Sequence, residues 1–199
     1  MGEEGAMFEP ENIKVCFEIF SSITRELTSM LDDSQVLDHI ARLTAEATGA
    51  KGCAVRVLNE KTRLFELSAV WGLSEAYIKK GPVDADHSLS ACLRGEIVQI
   101  ENTASDPRVQ YPEDAEAEGI VSILSVPMEM AGKVIGVLRI YTSEARRFSE
   151  DELAFVRALA DLGVLVLHHA RLYSGLKGNH DSLVENFHTW FEAGMHRPQ

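Results

Sequence analysis

Apolar side chains recur at spacings of three and four along the first thirty residues: Ile13, Cys16, Phe20, Ile23, Leu27 and Met30, with Phe17 and Leu31 widening the seam. That spacing marks one face of a helix. Asp32, Asp33 and Ser34 then offer capping oxygens for a second helix. Its stripe is Leu37, Ile40, Leu43, Thr44 and Ala47, and Gly49 supplies the stop. At Gly52 the period changes to two. Residues 53–58 and 64–71 predict a β-hairpin around the polar turn 59–63. Ser74 caps a short helix that runs to Lys79, Gly81 and Pro82 break the chain, and residues 88–94 predict another short helix closed by Gly95. Residues 97–100 predict a brief third strand.

The segment 101–118 predicts a long loop, with Asp106–Pro107, Tyr111–Pro112 and the acids Glu113, Asp114, Glu116 and Glu118. Loops of that length in a compact domain are lids, binding loops or disordered stretches. Two apolar strands follow, 122–130 and 134–141, linked by Ala131, Gly132 and Lys133 as the longest hairpin. Ser149 and Glu152 have the spacing of a capping box. The helix they open has the stripe Leu153, Val156, Leu159, Gly163, Val166, Ala170 and Tyr173. Past Gly175 and Gly178, residues 183–191 predict a last short amphipathic helix. Hairpins with helices gathered at both ends make this an α+β chain. It divides into a flexible tail at 1–10, one domain at 11–174 and a helical extension at 175–199.

Alternation along the strands divides the sheet into two faces. Val55, Val57, Phe65, Leu67, Leu124, Val126, Leu138 and Ile140 form an apolar set suited to covering the long helices. The opposite set mixes Arg56, Glu66, Ser68, Ser125, Arg139 and Tyr141 with Ile123 and Val137. Arginine is rarely buried without a partner, so this face is either wet or lines a pocket. Over it lie the short elements between Gly72 and Glu118, with His87, Ser88, Cys92 and Tyr111, and Trp71 stands at the mouth. A concave apolar site with a few placed polar groups is the form of a small-molecule pocket, and two arginines suit an anionic or carbonyl-bearing ligand. In the other reading, Arg56 pairs with Glu66 across the hairpin and Arg139 sits at a solvated strand end.

Composition narrows the class. The balance of 31 acidic to 19 basic side chains, a formal charge of −12, repels phosphate backbones and anionic membranes. Cys16, Cys53 and Cys92 stand far apart with no C-x-x-C pair, which argues against a zinc site or a disulfide framework. The acidic start has no signal-peptide pattern and no apolar run reaches the roughly 20 residues of a span, so a cytoplasmic location is expected. No phosphate loop, metal cluster or nucleophile–base pair stands out, so no catalytic residue, metal ligand or cofactor is assigned.

Over about residues 18–174 the chain resembles the GAF domain family of bacterial signalling proteins. The segments that carry the likeness include Gly72–Leu73, residues 105–108, Gly119–Ile120, residues 122–127 and 134–138, and Arg147, Phe148 and Ser149 with Asp151 and Glu152. The resemblance implies an antiparallel sheet in the order 2-1-5-4-3. Terminal helices would lie on one face and short pocket helices on the other. It also implies small-molecule sensing and a homodimer through helices 11–31 and 149–174.

Thr142, Ser143 and Glu144 stand where cyclic-nucleotide-binding relatives carry an Asn–Lys pair, and the residues around Cys92 do not match those of bilin-carrying relatives. Cys53 and Cys92 do not reproduce the cysteine cluster of the methionine sulfoxide reductase relatives. The candidate ligand-binding set is therefore Arg56, Ser68, Trp71, His87, Ser88, Cys92, Tyr111, Ser125, Arg139 and Tyr141. The leading expectation is a sensor acting through its terminal helices; no histidine kinase, cyclase or helix-turn-helix pattern follows Tyr173, which leaves open action alone or through a signalling partner in trans. The alternatives are a dimerisation module with a vestigial pocket and, behind it, a reductase-like enzyme.

Overall fold

The structure is a computed structural model that describes residues 33–169 and Ser21 of the 199-residue chain. The tail 1–10, nearly all of helix 11–31, the end of the last helix and the extension 175–199 lie outside the described residues.

The longest hairpin organises the sheet. Strands β5 (Ser122–Met130) and β6 (Lys133–Thr142) are joined by Ala131 and Gly132, with φ of 51° and 74°. Two successive left-handed residues give a tight turn whose twist matches that of the strands. The turn fixes a register that runs from Met130↔Lys133 to Ser122↔Thr142, with one irregularity between Met128 and Glu129. On its other side β6 pairs with β1 (Gly52–Asn59), and β1 pairs with β2 (Leu64–Trp71). The short strands β3 (Val83–Asp84) and β4 (Val98–Ile100) form the two edges. The order is β3-β2-β1-β6-β5-β4, antiparallel throughout. This is the expected five-strand order with β3 added beside β2.

Helices cover one face: α1 (Asp33–Thr48), and a second helix over residues 150–169. The latter begins with the expected capping box: the Ser149 amide donates to the Glu152 carboxylate at 2.9 Å, and the Glu152 amide donates to the Ser149 hydroxyl at 3.4 Å. Leu37, Ile40, Val55, Leu124, Val126, Leu138, Ile140, Val156, Leu159 and Val166 make one continuous core there. Each such fully buried side chain contributes roughly 1.5–3 kcal/mol. The opposite face is buried too. It is covered by α2 (Glu75–Lys79), a 3-10 turn (Cys92–Arg94) and α3 (Pro112–Glu118). Phe65, Leu89, Ile100, Ile120, Ile123, Val137 and Tyr141 form this second core. The helix over 150–169 is α4 below.

Three local expectations are corrected. Only Cys92–Arg94 of the segment 88–94 is helical. The segment 101–118 is not loop throughout: Pro112, with its preset φ, starts α3 and Gly119 ends it in a left-handed conformation. The faces of β2 are also exchanged. Asn59 pairs with Leu64, so even positions of β1 oppose odd positions of β2: Leu58↔Phe65 and Arg56↔Leu67. Phe65 and Leu67 therefore join the second core, and Glu66, opposite Val57, is exposed. A bulge then leaves Ser68 without a partner, beyond which Val55 opposes Ala69.

Close packing gives two glycines unequal costs. A Cβ on Gly136 would stand 2.7 Å from the Arg56 carbonyl, whereas one on Gly163 would meet only the Met128 methyl, also at 2.7 Å. Backbone in a central strand cannot yield, but a methionine end can. Gly136→Ala is expected to cost about 1–3 kcal/mol. Gly163→Ala should cost less, because the helix also gains a better former. Urea unfolding of the two variants checks the ranking.

Candidate functional site

Arg56 on β1 and Arg139 on β6 are diagonal neighbours, because Ala54 opposes Arg139 and Arg56 opposes Val137. Both point into the second core, where they are only 2 % and 5 % exposed. Arg56 Nη1 donates to the Phe65 carbonyl at 3.4 Å, and its Nε has no partner. Arg139 Nε donates to Ser125 Oγ at 3.2 Å. Neither guanidinium is among the ion pairs of the described residues. The cross-hairpin pair with Glu66 does not form, since Glu66 is on the other face and accepts from Asn59 Nδ2 at 2.9 Å. Nor does Arg139 end in solvent. A buried charge without a counter-charge costs several kcal/mol, a cost that an anion set between the two groups would offset.

The roof supplies a third cation. Ser74 caps α2, accepting the Tyr77 amide at 3.2 Å, and so sets Tyr77 over the sheet. The Tyr77 ring meets Tyr141 edge to face at 5.7 Å, and Arg139 lies 5.6 Å from the Tyr141 ring. Lys80 Nζ sits 3.2 Å from the centre of the Tyr77 ring and 5.8 Å from that of Tyr111, while donating to the Tyr77 carbonyl. Burial lowers its pKa most, followed by the charges of Arg56 and Arg139. Asp114 and Glu118 oppose the shift only in part, which leaves a value of about 7.

Gly81, at φ 111°, turns the chain after Lys80. Tyr111 closes the rim by donating to the Pro82 carbonyl at 2.9 Å, and Gln110 Oε1 receives the Asp84 amide at 2.8 Å. The Tyr141 hydroxyl and Ser88 Oγ are buried without partners. Buried polar groups are normally satisfied, and the Tyr141 orphan stands beside Arg139.

Of the residues singled out from sequence, the structure brings Arg56, Ser88, Cys92, Ser125, Arg139 and Tyr141 to this face, with Tyr111 at its rim. Three go elsewhere. Ser68 is the exposed bulge residue. Trp71 opposes Cys53 on the helix side, 46 % exposed, with the Arg42 guanidinium 6.0 Å from its ring centre. His87 is exposed, its amide held by Asp84 Oδ1 in a turn. Sequence reasoning missed Tyr77 and Lys80. Their signal was the capped helix after Ser74, which brings Tyr77 and the lysine before Gly81–Pro82 onto the sheet.

Two clefts among the described residues have linings that do not include the arginines. One runs between Asn102–Ala104 and α3, and the other runs along α4 past Leu162 and Leu165. No group of side chains among the described residues could hold a metal ion, and no helix there is long and apolar enough to cross a membrane.

Cys53 lies in the helix-side core and Cys92 in the other, with the sheet between them. Burial raises both thiol pKa values, that of Cys92 to about 11. Cys92 Sγ also donates to the Ser125 carbonyl at 3.7 Å. Thiolate, the reactive form, is therefore scarce at both sites. Alkylation at neutral pH followed by peptide mass spectrometry is expected to leave both unmodified in the folded protein and modify both after unfolding.

A family model for the GAF domain matches residues 31–168. The "Methyl sulfide methyltransferase-associated sensor" of Methanosarcina acetivorans is 27% identical over 132 residues, which are 63% of this chain and 13% of that protein. This chain thus spans a small part of that relative's length. Among solved structures, the GAF domain from a phosphoenolpyruvate-protein phosphotransferase of Coxiella burnetii superposes with a TM-score of 0.71 at 24% identity, covering 82% of this chain and 99% of that one. The GAF domain of the Acinetobacter phosphoenolpyruvate-protein phosphotransferase gives 0.66 at 25% identity, covering 83% and 97%. With the family model matched along most of the described residues and the same sheet-and-helix arrangement in both solved domains, the chain belongs to the GAF domain family.

Proposed function

We propose that this chain is a cytoplasmic regulatory module that binds a small anionic molecule between its sheet and the short elements above it. Occupancy passes to the helices on the opposite face. The observation that carries the reading is the pair of buried guanidiniums with no acid beside them. Transmission follows from alternation: Leu138 and Ile140, on either side of Arg139, pack into the helix-side core. A movement of β6 toward a ligand displaces the surface on which α1 and α4 rest. The converging groups donate hydrogen bonds and positive charge, which is the chemistry of binding. A homodimer through the terminal helices, with a signalling partner in trans, completes the proposal. Leu165, 58 % exposed on α4 beside Leu162, supports that contact.

Thermal melting against a panel of organic anions tests the binding. A ligand at a hundred times its Kd is expected to raise Tm by roughly 5–11 °C, from about 2.7 kcal/mol of linkage spread over a domain of this size. Arg56→Met and Arg139→Met should each abolish the shift and make the free protein more stable, by about 1–4 kcal/mol, because each removes a buried unpaired charge. If no anion moves Tm and both variants are destabilised, the arginines are structural and the pure dimerisation reading replaces sensing.

Light scattering tests the dimer. A dimer mass that Leu165→Asp converts to monomer is expected, and a monomer at every concentration rules that contact out.

A further inference from the structure

We infer that the anion site takes a ligand with two separated negative groups, one set between Arg56 and Arg139 and the other received by Lys80. This rests on the anion-sensor reading and adds the ligand's class to it. A single carboxylate can bridge the two guanidiniums, which are diagonal neighbours on adjacent strands. The chain of contacts from Arg139 to Lys80 passes through two aromatic rings, Tyr141 and then Tyr77. A ligand with one anionic head between the arginines would therefore leave the ammonium with the Tyr77 carbonyl and two rings as its neighbours and no anionic partner.

The acids near Lys80 do not fill that role. Glu118 accepts from the Ser74 amide at 3.1 Å and from its hydroxyl, and it lies 3.7 Å from Lys51 Nζ. Asp114 is exposed on α3. The orphaned Tyr141 hydroxyl and Ser88 Oγ supply neutral donors for the atoms that join the two heads. Lys80 is thus a specificity-determining residue: the arginines hold any small anion, and Lys80 selects those with a second charge.

A proton accompanies this selection. In the free protein Lys80 titrates near neutrality, under the influence of Arg56 on β1, Arg139 on β6 and the opposing Asp114 and Glu118 on α3. Three phenols, Tyr77, Tyr111 and Tyr141, stand around it, and burial raises the pKa of Tyr77. A second anionic group favours the charged ammonium, so its binding takes up a proton. The sign follows: preference for a two-headed ligand is strongest below pH 7 and fades as pH rises above it.

Calorimetry on the full chain tests this with two pairs of probes: propionate against glutarate, and methyl phosphate against propanediol bisphosphate. The carboxylate pair also carries the pH series, because its groups do not titrate near pH 7. Wild type is expected to bind the two-headed member about tenfold or more tightly at roughly pH 6.5, with proton uptake in buffers of different ionisation heat. That preference shrinks by about pH 8.5. Whichever pair binds tighter identifies the head group as carboxylate or phosphate.

Lys80→Met should lose most of the preference and the proton uptake while still binding the single-headed probes. Lys80→Arg, charged at every pH used, should keep the preference and lose its pH dependence. Single-headed probes bound as tightly as two-headed ones, or a preference that survives Lys80→Met, overturns this inference and leaves the anion-sensor reading standing. Failure of every probe to bind overturns both.

Discussion

Two guanidiniums lie on the inner side of a sheet that is covered on both faces, and among the described residues no carboxylate pairs with them. Such a charge raises the free energy of the empty domain by an amount comparable to a sizeable part of the stability of an ordinary protein. The rest of the domain is arranged around that imbalance. The helix side of the sheet is apolar, from Val55 through Leu124 and Val126 to Leu138 and Ile140. That core supplies the burial that offsets the cost. The pocket side concentrates what the helix side lacks: Arg56, Arg139, Ser125, two tyrosines and the lysine that folds over them. A domain selected for stability alone would place methionine or leucine at the two arginine positions.

The same geometry joins binding to output. Side chains on a strand alternate, so ligand contacts and helix contacts alternate along one stiff strand. Arg139 faces the second core between Leu138 and Ile140, which face the helices. A ligand changes the balance between two arrangements only by binding one of them more tightly. Relief of the arginine–arginine–lysine repulsion is the free energy available for that purpose here. The roof is held by burial of Tyr77, Leu89, Cys92 and Ala115 against the sheet, and by polar contacts of Ser74 with Glu118, of the Tyr111 hydroxyl with the Pro82 carbonyl and of the Gln110 side chain with the Asp84 amide.

Much of this was legible in the sequence because the strongest signals were local. The capping box at Ser149 and Glu152, the Ala131–Gly132 hairpin and the period change at Gly52 all act over a few residues, and all three reappear in the fold. The faces of β5, β6 and β1 followed from alternation alone. The faces of β2 did not. They depend on whether Asn59 pairs with Leu64 or with a neighbour, and a shift of one residue in the turn moves every side chain to the other face. That single unknown sent Glu66 and Ser68 to the expected pocket face and kept Phe65 and Leu67 off it. Lys80 was missed for another reason. A lysine at the end of a five-residue helix looks like solvated surface until the helix is docked, and docking depends on Tyr77 meeting Tyr141 across a long sequence separation.

The central claim is that the two arginines await an anion, and the nitrogens that lack partners report on it directly. In a nitrogen–proton NMR titration of the side-chain Nε groups with glutarate, Arg56 Nε has most to gain, since it alone is buried with no acceptor. The account predicts that the Arg56 and Arg139 Nε signals shift together, saturate along one binding curve and exchange more slowly with water when the site is filled. Nε signals of exposed arginines such as Arg94 should stay in place. Signals of Arg56 and Arg139 that remain unmoved while surface arginines respond would contradict it.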